Sequence, residues 1–344
     1  MIVTVTANPS VDRTFEVEKL VRGEVVRATR HRVDPGGKGL NVSRALHANG
    51  HDTAAVLPIG GSEGRQLLEL LDGSGVSVVA VPIAGSIRSN VTIVEPDGTV
   101  TKINEPGPTL SAAELDALVE AVSAASADAA WLVLSGSLPP GADDDLLADL
   151  IHRARAAGAR TAADTSGRSL AVALNARPDL IKPNAGELAE ISGRPLETLG
   201  DAIEASRLVL LRGAGAVLAS LGPDGALLVA GEGELHAELE VAEPNSTVGA
   251  GDSTLAGYLT AADDPTEALR AAVAYGAAAV SLPGSQMPGP TDLRLDDVQL
   301  HQAPDRQRVL LSPVHAPTAP DPTPASSPGG SPTRSVPPQG DERP

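Results

Sequence analysis

The chain has 344 residues and a net charge of −18, with 42% hydrophobic but only 1% aromatic residues. This length and apolar content allow one large domain, with or without a small appendage, whose core is built from aliphatic side chains. The negative charge and the scarcity of aromatic side chains argue against nucleic acid or an anionic membrane as a partner. The absence of cysteine excludes disulfides, thiolate catalysis and cysteine-bound metals.

The first ten residues, "MIVTVTANPS", are typical of a short β-strand and carry no basic leader. No apolar run in the sequence is long enough to span a bilayer. We therefore expect a soluble cytoplasmic protein without a membrane partner.

Short apolar runs that favour strands alternate along the chain with amphipathic segments that favour helices. In chain order, the pattern predicts a strand at "IVTVTA", a helix at "NVSRALHANG", a strand at "AAVLPIG", helices at "GRQLLELLDGSG" and "SAAELDALVEAVSAA", a strand at "WLVLSG", a helix at "DDLLADLIHRARAAG", strands at "ARTAADT" and "PDLIKPN", a hairpin at "GAVLASLGPDGALLVA", and helices at about 250–262 and 265–281. Ser111 and Glu114 have the spacing of a capping box. The alternation predicts an α/β fold with a mostly parallel central sheet covered by helices on both faces.

Two segments, 14–33 and 89–105, alternate polar and apolar residues without an intervening helix. They predict a second, smaller β-sheet, with its strands within about 12–34 and 88–105. We expect this sheet to act as a lid over the edge where the main strands end, because α/β proteins bind their ligands there.

The C-terminal part of the chain has a different composition. Residues 301–344 are rich in Pro, Ser, Gly and Thr, which predicts a mostly disordered tail after a folded domain over 1–300. The segment 308–314, "RVLLSPV", is the exception, since it can pack or form a strand.

The motif "VGAGDS" at 248–253 has two physical interpretations. In the first it is a helix start, with Asp252 placed favourably in the first turn. In the second, the backbone N–H groups of Gly249, Ala250 and Gly251 form an anion hole for a phosphate, and Asp252 acts on the attacking group.

Two further motifs carry candidate ligands. "PGGKGLN" at 35–41 allows a ligand to approach the backbone closely around Lys38, although it is not a P-loop and can equally be a loop with a solvated lysine. "IKPNAGE" at 181–187 brings Asn184 and Glu187 to one side of a first helical turn. That arrangement suits a hydrated Mg²⁺, or a simple N-cap.

The remaining motifs are weaker in isolation. "NPSVD" at 8–12 is typical of an Asx-type turn, and "SLGPDGA" at 220–226 of a hairpin turn. Arg88 in "SIRSN" is an edge-strand residue that gains a function only if the lid faces a phosphate. The seven histidines have no metal-binding spacing.

Taken in order, these motifs resemble those of the ribokinase-like (PfkB) carbohydrate kinase family over about residues 1–300. The resemblance rests on "NPSVD", "GGKGLNV", "IRSNVTI", "INEPGP", "LSGSLPPG", "IKPNAGE", "SLGPDGA" and "VGAGDS". "NPSVD", "IRSNVTI" and "INEPGP" point to the branch of the family that phosphorylates sugar phosphates. The Pro- and Gly-rich stretch at 281–290 departs from the family pattern near the adenine pocket.

The resemblance implies a three-layer α/β/α fold with a β-sheet lid that often serves for dimerisation, so a homodimer through the lid is expected. Transferred motif by motif, it makes Asp252 the general base and residues 249–251 the anion hole. The implied sugar-phosphate ligands are Asp12, Gly37, Lys38, Asn41 and Arg88, with Arg88 on the phosphate that the sugar already carries. The implied ATP ligands are Lys182, Asn184, Ser220, Gly222, Gly225 and Gly251. Asn184 and Glu187 would organise Mg²⁺ through water.

The activity implied is ATP-dependent phosphorylation of a ketohexose phosphate, with fructose 1-phosphate, converted to fructose 1,6-bisphosphate, as the first candidate. Tagatose 6-phosphate and fructose 6-phosphate are the alternative substrates. A non-catalytic sugar-phosphate sensor with the same fold is a more distant alternative. We expect the helix dipole at "VGAGDS" to keep Asp252 ionised.

Overall fold

A computed structural model of the protein describes residues 1–143 and 145–314. The strands, in chain order, are β1 (Ile2–Val5), β2 (Ser10–Glu16), β3 (Arg30–Gly36), β4 (Thr53–Ile59), β5 (Ser77–Pro82), β6 (Arg88–Val94), β7 (Val100–Ile103), β8 (Trp131–Ser135), β9 (Arg160–Asp164), β10 (Leu180–Ile181), β11 (Leu196–Thr198), β12 (Ala216–Ser220), β13 (Ala226–Ala230), β14 (Gly233–Glu238), β15 (Gln299–His301) and β16 (Val309–Val314). The α-helices are α1 (Lys38–Ala48), α2 (Gly61–Leu71), α3 (Ala112–Ala125), α4 (Asp145–Ala156), α5 (Gly167–Asn175), α6 (Ala185–Ser192), α7 (Leu199–Leu211), α8 (Ala250–Thr260) and α9 (Pro265–Ser281).

The main sheet contains ten strands in the order β15-β14-β13-β12-β10-β9-β8-β1-β4-β5. The strands from β12 to β5 in this order run parallel, and β13, β14 and β15 extend the sheet in antiparallel fashion. The carboxyl ends of the parallel strands therefore meet at one edge, where the loops of an α/β protein form its site.

Helices cover both faces of this sheet. On one face, α3 to α7 pack into a common apolar cluster through Leu118, Leu150, Leu170, Leu188 and Ile203. On the other face, α1, α8 and α9 bury Leu46, Leu255 and Leu269. The predicted three-layer α/β/α arrangement is confirmed.

The predicted lid sheet is also confirmed, as four strands in the order β3-β2-β6-β7. Its first strand differs from the prediction. β2 begins at Ser10 and pairs with β3 on one side and β6 on the other, so the backbone of "NPSVD" enters the ladder instead of forming an Asx-type turn. Asp12 consequently lies within a lid strand, and β3 extends into the glycine motif as far as Gly36.

The local predictions with strong capping or turn signals are confirmed. Ser111 and Glu114 form a capping box at the start of α3, and β12 and β13 form the hairpin across a 3₁₀ turn at Gly222–Asp224. The sequence pattern did not predict α5, α7, β5, β11, β14 or β15. Within the described residues, no helix combines the length and apolarity needed to cross a bilayer.

The C-terminal strand β16 packs against the domain. It pairs antiparallel with β11, and Leu310 is only 3% exposed. The segment whose packing the sequence left open is therefore part of the fold up to Val314. Residues 315–344, for which the sequence predicts disorder, lie outside the described residues.

Candidate active site

A glycine pair brings Lys38 to the edge where the parallel strands end. The lid strand β3 ends at Gly36 and α1 begins at Lys38, so only Gly37 separates the lid from the helix. Gly37 has φ of 134°, and a Cβ added there would lie 2.6 Å from Cγ2 of Thr6. Any side chain at this position would therefore clash, which explains the glycine. The same turn is held by Leu40 N, which donates to Oγ1 of Thr6 at 2.9 Å.

Asp164, the last residue of β9, lies between two lysines. Nζ of Lys38 donates to Oδ1 of Asp164 at 2.9 Å, and Nζ of Lys182 lies 3.3 Å from Oδ2. The Asp164 side chain is fully buried. Burial raises the pKa of Asp164, but Lys182 and Lys38 outweigh it and hold the pKa below its ordinary value. Asp164 is therefore a buried carboxylate that remains charged because both lysines contact it.

Lys38 also faces a second acid, Glu187, whose Oε1 lies 3.9 Å from Nζ. Burial lowers the pKa of Lys38, but Asp164 and Glu187 outweigh burial and raise it above its ordinary value. Lys38 thus joins the residue that ends β9 to the first turn of α6. The resemblance implies that Lys38 contacts the sugar, and in the structure its ammonium group lies with Asp164 and with Glu187 of the predicted Mg²⁺ motif.

The "VGAGDS" motif forms the start of α8. Gly249 is the N-cap residue with a left-handed φ of 78°, and the helix begins at Ala250. First-turn N–H groups lack partners within a helix, and that of Ala250 makes only a 3.4 Å bond to the Thr247 carbonyl. A Cβ at Gly251 would lie 3.2 Å from Nζ of Lys182, so the lysine ammonium lies beside the glycine backbone. Free N–H groups and a cation together favour an anion here.

Asp252 does not cap this helix. Among the described residues its side chain accepts instead from Nδ2 of Asn41, which donates to Oδ2 at 2.9 Å across 211 positions of the chain. Burial and, after it, the charge of Asp164 raise the pKa of Asp252 to about 6, against the opposing effects of Asn41, Lys182 and Lys38. The helix dipole was expected to keep Asp252 ionised, whereas burial and the charge of Asp164 act in the opposite direction. A group with this pKa is still roughly 90% ionised at pH 7.

Asn184 and Glu187 form a reciprocal capping box at the start of α6. Glu187 N donates to Oδ1 of Asn184, and Asn184 N donates to Oε2 of Glu187, both at 2.9 Å. This leaves Oε1 of Glu187 free of the capping bonds. Among the described residues, Oδ2 of the buried Asp164 is contacted by the ammonium group of Lys182 at 3.3 Å. Carboxylate oxygens are the donors that magnesium prefers, so these two acids fit Mg²⁺ held through water.

The turn of the β12–β13 hairpin lies beside this capping box. Ser220 bridges to Asn184, and Ser220 N donates to the Pro183 carbonyl at 3.0 Å. Gly222 and Gly225 both have left-handed φ values, of 63° and 78°. A Cβ at Gly225 would lie 2.1 Å from the Ala237 carbonyl, whereas Gly222 has open space around it. The turn is thus packed on one side and accessible on the other.

Asp12 and Arg88 lie on the lid sheet. Oδ1 of Asp12 accepts from Oγ of Ser10 at 2.7 Å and from Nδ2 of Asn90 at 3.0 Å. Arg88 Nε donates to the Asn8 carbonyl at 3.2 Å. A Cβ at Gly36 would lie 2.6 Å from Cγ of Asp12, so the lid residues adjoin the start of the glycine motif.

The structure therefore brings the predicted residues together as three groups. Asn184, Ser220, Gly222 and Gly225 belong to the capping box and the hairpin turn beside it. Lys38, Asn41, Lys182, Glu187 and Asp252 are linked through contacts to one another or to Asp164, and Asp12 and Arg88 lie on the lid beside the glycine turn. The sequence missed Asp164 and Asn90. An acidic residue that closes the buried strand "ARTAADT" was the available signal for Asp164. Asn90 was visible as a polar residue two positions after Arg88.

Comparison with known proteins agrees with this geometry. The family described as pfkB family carbohydrate kinase matches residues 3–292. A 1-phosphofructokinase of Haloferax volcanii is 37% identical over 90% of this chain and 100% of its own. The crystal structure of phosphofructokinase-2 from Escherichia coli in complex with fructose-6-phosphate is 33% identical and has a TM-score of 0.78, covering 85% of this chain and 96% of that one. Ribokinase of Arabidopsis thaliana, complexed with ribose and ATP, shares the fold at 24% identity and a TM-score of 0.71, over 85% of this chain and 96% of its own.

The fold and these relatives define a sugar kinase, a phosphotransferase whose acceptor is an alcohol group. The chain belongs to the pfkB family of carbohydrate kinases, which use ATP. The resemblance drawn from the motifs is confirmed.

Proposed function

We propose that the protein transfers the γ-phosphoryl group of ATP to the 6-hydroxyl of fructose 1-phosphate and forms fructose 1,6-bisphosphate. The observation that carries the proposal is Asp252, a buried carboxylate at the start of α8 that is held by Asn41 and flanked by a glycine backbone. The identity of 37% to the 1-phosphofructokinase of Haloferax volcanii favours this substrate. Fructose 6-phosphate remains the main competitor, given the 33% identity to phosphofructokinase-2.

Asp252 is the proposed general base. It takes the proton of the attacking hydroxyl as the new oxygen–phosphorus bond forms and the bond from the γ-phosphorus to ADP breaks. A pKa of about 6 suits this role, because the group is ionised at neutral pH and is a better proton acceptor than an ordinary aspartate.

The anion-binding groups lie around the same helix start. The N–H groups of residues 249–251 would stabilise the negative charge on the phosphoryl group during its transfer. Lys182 adds a positive charge beside Gly251. Ser220, Gly222 and Gly225 would hold the nucleotide on the accessible side of their turn. Asn184 and Glu187, with Asp164, would hold Mg²⁺ through water. When bound, this ion would neutralise charge on the phosphate oxygens.

The sugar-binding groups would come from the lid and the glycine turn. Asp12, Asn41 and the backbone at Gly37 and Lys38 would contact the hydroxyls. Arg88 would hold the phosphate that the sugar already carries, because its planar guanidinium matches phosphate oxygens. Asn90, fixed to Asp12, is a further candidate, since its Oδ1 has no hydrogen-bond partner among the described residues.

One comparison of substrates tests the proposal. The purified protein is assayed with Mg-ATP and fructose 1-phosphate, tagatose 6-phosphate or fructose 6-phosphate, and kcat/KM is compared for ADP release. We expect the highest value for fructose 1-phosphate. A higher value for another sugar phosphate reassigns the substrate. Saturable sugar-phosphate binding without any ADP release would identify a non-catalytic sensor instead.

We also propose that the lid sheet mediates a homodimer. Its edge strand β7 exposes Val100 by 50% and Ile103 by 58%, apolar surface that a second copy of the lid would cover. Sedimentation analysis should find a dimer for the unaltered protein and a shift toward monomer for Ile103→Glu. A monomer in the unaltered protein contradicts this proposal.

A further inference from the structure

The nucleotide-side turn of the proposed site is tied to the C-terminal strand through a buried acid, Asp224. This residue ends the 3₁₀ turn Gly222–Asp224 and is only 1% exposed. Its Oδ2 accepts from Leu311 N at 2.8 Å, and its Oδ1 lies 3.5 Å from Nη2 of Arg308. Its backbone carbonyl accepts from Nε2 of His236 at 2.7 Å. All three contacts hold Asp224 at the end of the turn.

Arg308 is itself held firmly in place. Nη1 donates to Oε1 of Glu238 at 2.8 Å and Nη2 to Oε2 at 2.7 Å, a two-pronged ion pair with strand β14. The Arg308 carbonyl accepts from Leu199 N at 2.9 Å. The guanidinium therefore has little freedom to leave the buried Asp224 carboxylate. A buried carboxylate without a nearby cation is unfavourable, so Arg308 compensates its charge.

The other end of the turn is fixed to the site. Ser220 N donates to the Pro183 carbonyl, and Ser220 bridges to Asn184. The hairpin turn is thus anchored at Ser220 by the proposed ATP- and Mg²⁺-binding motif and at Asp224 by the C-terminal strand. A shift of Asp224 would move Gly222, which lies between these two anchors, and Gly225, which directly follows Asp224.

We infer that Arg308 and Asp224 are positioning residues for ATP, which act by fixing the Ser220–Gly225 turn. This inference rests on the proposed function, because it assumes that the turn faces the nucleotide. It assigns the C-terminal segment that contains Arg308 and β16, remote in sequence from every motif of the site, an indirect part in nucleotide affinity.

The same region contains a cluster that has the composition of a metal site. Ligand atoms of His236, Glu238 and His301 lie within 4.8 Å of one another. Both oxygens of Glu238 already accept hydrogen bonds from Arg308, so the guanidinium group occupies the position that a metal ion would need. His301 Nε2 lies 3.1 Å from the same carboxylate. The cluster therefore supports Arg308 and does not call for a metal ion.

The test compares Arg308→Ala with Arg306→Ala in the full-length chain. Arg306 makes an equivalent two-pronged pair with Glu234 on the same segment, at 3.0 and 2.7 Å, and contacts neither the turn nor Asp224 in the described residues. Both changes remove one positive charge. We expect Arg308→Ala to raise KM for ATP by about tenfold, the scale of one charge-assisted contact, with KM for the sugar phosphate unchanged. Arg306→Ala should change neither value.

A second variant separates positioning from general stability. In the double variant Arg308→Ala/Asp224→Asn, the buried charge that Arg308 compensates is gone. We expect KM for ATP to return toward the value of the unaltered protein. Melting curves accompany each variant. If Arg308→Ala does not fold, Arg308→Lys and the double variant supply the same comparison.

Several outcomes would overturn the inference. These are an unchanged KM for ATP in Arg308→Ala, an equal rise for ATP and sugar phosphate, or no rescue by the double variant. Calorimetric titration with Mg-ATP distinguishes this failure from that of the proposed function. If the unaltered protein binds ATP without turnover, the proposed function fails and the variants are compared by Kd instead. If it binds no ATP, both proposals fail.

Discussion

Nζ of Lys38 donates to Oδ1 of Asp164 at 2.9 Å, across 126 positions of the chain. The pair joins the start of α1, which follows the lid, to the end of β9 in the centre of the main sheet. With Lys182 on its other oxygen, Asp164 stays charged although it is fully buried. That charge is one of the causes that raise the pKa of Asp252. The two lysines thus act on the proposed base in two opposite ways. Their charges lower its pKa directly, and they help to raise it by keeping the neighbouring Asp164 ionised.

The pH profile of Asp164→Asn tests this relationship. For the unaltered protein we expect kcat to fall below pH 6, because Asp252 must be deprotonated to accept a proton. Asp164→Asn removes a negative charge and leaves Lys38 and Lys182 uncompensated, so the pKa of Asp252 should fall. The acidic limb of the profile should then move to lower pH, whatever the loss in maximal kcat.

Asp263→Asn is the matched control for that profile. Asp263 pairs with Arg160 at the opposite end of β9, and its side chain is exposed. The acidic limb should stay at about pH 6 in this variant. A limb that stays in place or moves upward in Asp164→Asn would show that Asp164 does not set the pKa of Asp252.

The variant Asp252→Asn distinguishes a general-base role of Asp252 from a helix-capping role. We expect kcat to fall by roughly 10²–10⁴, the range for loss of a positioned base. The folded-state pKa of Asp252 is raised, so the stability linked to this group is full below about pH 4 and is lost as pH rises through about 6. Asparagine does not titrate, so the variant lacks this pH-dependent loss of stability. Its melting temperature at pH 7.5 should equal or exceed that of the unaltered protein.

Asp264 provides the contrast, because it does cap a helix. Its Oδ1 accepts from Thr266 N and Glu267 N at the start of α9. Asp264→Ala should reduce the free energy of unfolding by about 1 kcal/mol and leave kcat unchanged. Turnover of a well-folded Asp252→Asn protein within a few-fold of normal would mean that "VGAGDS" is only a helix start.

Features set by neighbouring residues could be predicted from the sequence. The capping boxes at Ser111 and Asn184 and the hairpin at Gly222–Asp224 depend on spacings of a few residues, and each appears where the pattern indicates it. The alternation of strand and helix patterns likewise predicted the layers, because it follows from which face each element buries.

Features set by distant pairing could not be predicted in this way. Asp164 joins the candidate site only because Lys38 and Lys182 contact it in space, and its own segment has an ordinary strand pattern. The pKa of Asp252 depends on burial and on Asp164, neither of which its motif reveals. Asp12 lies in a strand because β3 and β6 pair on both sides of it.

The C-terminal strand offers a test of packing through two adjacent leucines. Leu310 is 3% exposed and Leu311 is 70% exposed. Leu310→Ala should lower the free energy of unfolding by about 2–5 kcal/mol, as for other buried leucines. Leu311→Ala should change it by less than about 0.5 kcal/mol. Urea denaturation measures both, and equal effects would contradict the packing of β16 on the domain.

Arg88 tests the orientation of the lid over the site. Its guanidinium donates to two neutral carbonyls, those of Asn8 at 3.2 Å and Glu105 at 3.3 Å. Among the described residues, no carboxylate forms an ion pair with Arg88, so its charge remains available to a phosphate. Arg88→Ala should raise KM for the sugar phosphate by roughly 10- to 150-fold, equivalent to about 1.5–3 kcal/mol, and change KM for ATP little. Arg30→Ala removes the same charge from the lid at a side chain that is 80% exposed, and both KM values should stay unchanged. If Arg88→Ala raised the two KM values equally, the lid could not lie over the sugar end of the site alone, and the phosphate contact would have to be reassigned.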